Sequence, residues 1–201
     1  MTRPPWLTAA PAALCLLLWW ADGGAAFAYL RDAVAGAAWW RLFTGHLSHY
    51  SGAHLGWNML AFGLAAGWIE RALGAWVLLR VVAASAFGIG LLLTGLPGLA
   101  EYRGLSGINT ALVAYLICHL ALGAGPRLKG VAWGLAGLLV IKLGFEALTG
   151  ASLLLSGGGV WVPLPAAHLV GALIGLGAAL VPGFHRLARP VPGAARGLDV
   201  P

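Results

Sequence analysis

Six runs of apolar residues, approximately 6–21, 54–69, 75–96, 105–122, 128–148 and 164–181, leave this chain few ways to fold. A bilayer core offers no hydrogen bonds to the backbone, so runs of this kind cross it as helices that satisfy their own N–H and C=O groups. A straight crossing takes about 20 residues, and the run 54–69 falls well short of that length. Of the 201 residues, 60% are hydrophobic and 9% charged, against roughly 25% charged in a soluble domain. The sequence therefore predicts an all-α polytopic membrane protein, a six-helix bundle forming one membrane domain over residues 1–201. Cys15 and Cys118 both sit in apolar runs, so no disulfide framework is indicated.

The formal net charge is +6, and the distribution of the basic residues explains it without nucleic acid. With the N-terminus inside, Arg3, Arg71, Arg127, Lys129, Arg186, Arg189 and Arg196 fall on the cytoplasmic side, whereas Arg31, Arg41 and Arg103 fall outside. That asymmetry follows the positive-inside rule. Trp6, Trp19, Trp20, Trp39, Trp40, Trp68, Trp76 and Trp161 cluster near the ends of the runs, where amphipathic rings favour the interface. Arg3, the run from Leu7 to Trp20 and Ala26-Phe27-Ala28 also have the outline of a cleavable signal peptide. The paired tryptophans and the polytopic remainder favour a retained first helix; cleavage would leave five spans.

Short connections at residues 70–74, 97–103 and 123–127 make neighbouring helices antiparallel. The longer segment 22–53 is apolar but broken by Asp22, Gly23, Gly24, Arg31, Asp32, Gly36 and Arg41. It reads as short interfacial helices with Phe27, Leu30, Val34, Trp39 and Trp40 against lipid or the bundle. Gly157-Gly158-Gly159, in the connection 150–163, lacks the Lys and Ser/Thr of a phosphate loop and reads as a linker or a mobile cover.

Polar residues inside such runs are costly and mark functional sites by default. The second, fourth and sixth runs point the same way, which brings their N-terminal turns to one depth on the outer side. His54 and Asn58 open the second, Ser106 with Asn109 and Thr110 opens the fourth, and His168 lies about 6 Å into the sixth. Small residues at Gly171, Gly175 and Ala178, and at Gly107, Ala111 and Ala114, allow close helix approach. A serine hydroxyl becomes a competent nucleophile when an imidazole accepts its proton, so Ser106 and His168 are the expected nucleophile and base. No intramembrane Asp stands ready to orient the imidazole, which predicts a dyad rather than a triad. Backbone N–H groups at the N-terminus of the fourth helix, with His54 and Asn58, are the candidate oxyanion donors.

Lys142 and Glu146, at i and i+4 in the fifth run, read either as a structural ion pair or as a reader of the substrate tail. His46 and His49 read as structural or interfacial; with His54 they lack the carboxylates and supporting pattern of a metal site. His119 and His185 lie towards the inner side without an evident role. No metal or other cofactor is called for. A transporter would place its polar residues near the midplane on broken helices, unlike these.

In these residues the chain resembles the rhomboid intramembrane serine proteases. The likeness rests on Trp40-Arg41, His54-x-x-x-Asn58, Gly67-x-x-Glu70-x-x-x-Gly74, Gly104-Leu105-Ser106-Gly107 and Ala167-His168-x-x-Gly171-x-x-x-Gly175. It implies Ser106 as nucleophile, His168 as general base and acid, and His54, Asn58 and Gly104 as the oxyanion- and substrate-binding group. Tyr102-Arg103-Gly104, Lys142-x-x-x-Glu146 and Thr149-Gly150 are similar to the rhombosortases. That subfamily implies a multi-pass protein of the bacterial inner membrane whose site opens to the periplasm. Its implied substrates are membrane-anchored proteins with a C-terminal tail of Gly-Gly, a transmembrane helix and a basic end. Many rhomboid proteases carry an aromatic residue four positions after the serine, against the histidine. Thr110 stands there in this chain, so His168 must be held in another way.

Overall fold

The computed structural model describes residues 5–151 and 164–182. Arg3, Trp161, His185, Arg186, Arg189, Arg196 and the Gly157-Gly158-Gly159 linker lie outside the described residues. In chain order the elements are α1 (Trp6–Asp22), a 3-10 turn, β1 (Tyr29–Leu30), α2 (Arg31–Ala35), α3 (Arg41–Thr44) and a second 3-10 turn. Then follow α4 (Gly52–Ala72), α5 (Ala75–Gly95), β2 (Glu101–Tyr102), α6 (Ser106–Gly123), α7 (Pro126–Thr149) and α8 (Pro165–Leu180). The six long helices coincide with the six apolar runs to within a few residues. By length and apolarity α5, α6 and α7 suffice to cross a bilayer, while α1 and α8 are apolar but shorter. The protein is thus a largely helical, multi-pass membrane protein.

The run that looked too short proves longer than its apolar stretch, since α4 covers 21 residues. Ser51 caps it, with Oγ accepting from the His54 N–H at 3.1 Å. At the other end Glu70 and Arg71 continue the helix, because a charged residue ends apolarity without ending helical geometry.

Glu70 fastens α1 to α4. Its carboxylate accepts from the backbone N–H groups of Leu7 and Thr8 at 2.9 and 2.7 Å, and from the Thr8 hydroxyl at 2.7 Å. These donors belong to the first turn of α1, whose own N-cap, Pro5, makes no side-chain capping bond. The N-terminal dipole of α1 favours an anion there. Glu70→Ala removes all three bonds and is expected to lower stability by roughly 2–3 kcal/mol. Thermal melting of the purified variant in detergent checks this, and an unchanged midpoint would contradict it.

Segment 22–53 contains the expected short helices, with Val34 buried and Trp39, Trp40 and Phe43 exposed. It also contains one strand of a two-stranded ladder that no sequence pattern announces. β1 pairs antiparallel with β2, Tyr29 opposite Tyr102 and Leu30 opposite Glu101. Arg31 clasps the end of α5, donating to the carbonyls of Leu93, Thr94, Leu96 and Leu99. A cation suits the Leu93 and Thr94 carbonyls in the last turn of α5, which the helix leaves without internal donors, and it ties them to Leu96 and Leu99 beyond the helix. The segment is therefore stitched to the connection that leads directly into Ser106.

At the centre of the bundle α6 and α8 touch backbone to backbone. A Cβ on Gly171 would lie 3.0 Å from the Gly107 carbonyl carbon and closer still to its oxygen; one on Gly175 would meet the Ala111 carbonyl in the same way. Contacts between 107 and 171 and between 111 and 175 advance together along both helices, so the two run parallel. Their N-terminal ends share one level, as the sequence predicts.

Candidate functional site

Ser106 opens α6 and His168 lies in the first turn of α8. His168 Nε2 is 2.8 Å from Ser106 Oγ. The close approach at Gly107 makes this possible: Ala167, beside the histidine, packs its carbonyl 3.1 Å from where a Gly107 Cβ would stand.

The other ring nitrogen of His168 faces a carboxylate and an ammonium from α7. Glu146 Oε2 lies 2.6 Å from His168 Nδ1, and Lys142 Nζ lies 2.8 Å from the same oxygen and 3.1 Å from Nδ1. Glu146 is 1% exposed and His168 4%. The carboxylate beside Nδ1 is thus a glutamate on the neighbouring helix, α7. The i, i+4 spacing revealed the Lys142–Glu146 pair but not its third member, because a pair already matched in sequence gives no sign of a partner on another helix. Its placement in the outer half of the fifth run, at the depth of His168, was the available signal. Thr110 takes no part in holding the ring; its hydroxyl donates to the Ser106 carbonyl at 2.8 Å.

His54 and Asn58 arrive on α4. The Asn58 amide donates to the His54 carbonyl at 3.0 Å and accepts from Asn109 Nδ2 at 2.9 Å, which ties α4 to α6. His54 Nδ1 accepts from the Tyr50 N–H at 3.4 Å. That bond leaves the ring proton on Nε2, since one nitrogen of neutral imidazole accepts and the other donates. A Cβ on Gly104 would lie 2.9 Å from this Nε2 and 3.8 Å from Asn58 Nδ2. Both nitrogens therefore flank Gly104, two residues before Ser106. Gly104 has φ +121°, a conformation that favours glycine. It is fixed by its N–H donating to the Gly45 carbonyl at 3.0 Å and by its carbonyl accepting from the Tyr102 hydroxyl at 3.0 Å.

Around this group sits a buried aromatic and imidazole layer. His49 packs edge-on against His54, ring centroids 5.1 Å apart, and Tyr50 stacks on its other side at 5.9 Å. His46 meets Tyr102 edge-on, and its Nε2 lies 3.3 Å from the Ala86 carbonyl. Burial pushes the His46 and His49 imidazoles down to about 4 and about 3, so both are neutral near pH 7. His46 thus packs against β2 and His49 against His54. Among the described residues no three His, Cys, Asp or Glu side chains gather in a group able to hold a metal ion. His119 is remote from the site, ringed by Trp68 and Tyr115.

Comparison with known proteins bears on the whole arrangement. The family model described as Rhomboid domain matches residues 36–183, a stretch that contains every site residue named above. The chain is also 41% identical over 85 residues to heme A synthase from Rhodospirillum centenum (strain ATCC 51521 / SW), a match covering 41% of this chain. It spans about a fifth of that enzyme's length, 21%.

Proposed function

The chain belongs to the rhomboid family, and from that premise we propose that it is an intramembrane serine endopeptidase. The observation that carries this reading is the 2.8 Å contact between Ser106 Oγ and His168 Nε2. The hydroxyl attacks a substrate carbonyl while its proton passes to Nε2, and the carbonyl oxygen becomes an oxyanion. Donors for that oxyanion are His54 Nε2–H, the second N–H of the Asn58 amide and the backbone N–H groups that open α6, which have no acceptor within the helix. When the C–N bond breaks, His168 returns the proton to the leaving amine and Ser106 is left as an acyl ester. Water then attacks the ester with Nε2 again as base, releasing the acid and restoring the hydroxyl.

The finer proposal is that the substrates are membrane-anchored proteins whose C-terminal tail combines Gly-Gly, a transmembrane helix and a basic end, as in the rhombosortases. It is supported by Tyr102-Arg103-Gly104 and by Lys142 with Glu146. We place the protein in the bacterial inner membrane with six spans, the N-terminus cytoplasmic and the site opening to the periplasm. The distribution of Arg and Lys supports that orientation.

Co-expression with a reporter bearing such a tail tests the function. Wild type is expected to yield a shortened product and to react with a fluorophosphonate, whereas Ser106→Ala and His168→Ala do neither. A Ser106→Ala protein that still cuts would remove the nucleophile. A wild type that binds the reporter but neither cuts nor labels would make the protein a non-catalytic binder of transmembrane clients.

A further inference from the structure

Resting on the protease reading, the geometry points to Glu146 as the positioning residue of the reaction, held by Lys142, so that the working unit extends from Ser106 through His168 onto α7. His168 Nδ1 faces two groups of opposite demand. Glu146 Oε2, at 2.6 Å, can only accept a hydrogen bond, whereas Lys142 Nζ, at 3.1 Å, can only donate one. One ring nitrogen serves one of them at a time, and the choice sets the state of the other nitrogen. If Nδ1 carries the proton and donates to Glu146, Nε2 presents a lone pair to the Ser106 hydroxyl. If Nδ1 accepts from Lys142, Nε2 carries the proton and cannot take another. The first state alone activates Ser106.

Two features favour it. The Glu146 contact is the shorter, and Lys142 is already engaged by the same carboxylate oxygen at 2.8 Å. Lys142 also supplies the counter-charge for a carboxylate whose side chain is 2% exposed, since a buried anion without a partner is strongly unfavourable. During attack the Ser106 proton moves to Nε2, while the Nδ1 proton stays on the ring and remains bonded to Glu146. The carboxylate takes up no proton; it fixes the ring plane and faces the imidazolium that forms. With Thr110 offering no aromatic support, this bond from α7 is what holds the ring.

The test uses the full chain in nanodiscs, with kcat and KM for reporter cleavage and fluorophosphonate labelling. Glu146→Gln keeps the shape but offers an N–H to Nδ1, which favours the inactive tautomer. It is expected to lower kcat by roughly 100-fold or more with KM within about twofold. Glu146→Asp, which retains the carboxylate, is expected to recover a large part of that loss. Lys142→Met with Glu146→Leu removes both charges together and leaves neither buried alone. That double variant is expected to melt near wild type and to turn over as slowly as Glu146→Gln. If wild type cleaves and labels but the double variant or Glu146→Gln turns over within about threefold of it, the assignment is overturned. It is equally overturned if Glu146→Asp is as slow as Glu146→Gln, since the carboxylate would then not matter. A wild type that neither cleaves nor labels would instead remove the protease reading beneath it.

Discussion

Gly171→Ala is expected to leave a protein that melts well below wild type and does not cleave its reporter. The added methyl would overlap the Gly107 carbonyl and stand 3.5 Å from the Ala111 N–H. Both obstacles are backbone, so no rotamer change relieves them and α8 must move off α6. Overpacking costs about 1–3 kcal/mol where side chains can shift, and more is expected where they cannot. The effect on activity is larger still. Ser106 and His168 stand on the two helices being separated, and a displacement of about 1 Å can cost about 100-fold in rate. Gly177→Ala is the matched control, because nothing lies within 4 Å of a Cβ there. It is expected to hold or raise stability slightly, by roughly 0.5–1 kcal/mol, through better helix propensity. Equal melting and equal cleavage for the two variants would show that the α6–α8 contact does not set the geometry of the site.

Gly104→Ala is expected to do comparable damage by a different route. Its φ of +121° is strained for any L-residue, at a cost of about 1–3 kcal/mol. The new Cβ would also lie 2.6 Å from His54 Cε1 and 2.9 Å from Nε2. Either the Tyr102–Ser106 turn or the His54 ring must yield, and both carry the proposed oxyanion donors. Loss of one such donor costs about 100- to 1,000-fold in kcat, so reporter cleavage should fall by at least 100-fold. Fluorophosphonate labelling of Ser106 should slow as well, because its adduct places an oxygen in the same position. Cleavage at the wild-type rate would mean that His54 and Gly104 lie beside the reaction without contributing to it.

How far the sequence announced these features depends on contrast. His54, Asn58, Ser106 and His168 were legible because each is polar within Leu, Ala, Val and Gly, and the direction of the runs brought them to one depth. Helix positions were legible for the same reason, apart from α4, whose charged end hid its true length. Four features were not legible. The β1–β2 ladder is two residues per strand, too short to show alternation. Arg31 looked like an outer-side charge, yet it closes the end of α5. Asn109, which opens the fourth run with Ser106, bonds to Asn58 and joins two helices. Glu146 stands beside His168, yet in sequence it is already matched by Lys142 and gives no sign of a second partner. Each miss is a contact between elements distant in sequence, where local pattern carries no information.

The bond between Glu70 and the start of α1 also has a consequence in time. The cap lies 63 residues after Leu7, so the first turn of α1 is synthesised well before the side chain that completes it. At translation speeds of about 5–20 residues per second, α1 waits roughly 3–13 s for Glu70 to emerge. During that interval its leading N–H groups must rely on water or lipid headgroups. The bonds that close α1 onto α4 therefore cannot form until Glu70 has been synthesised.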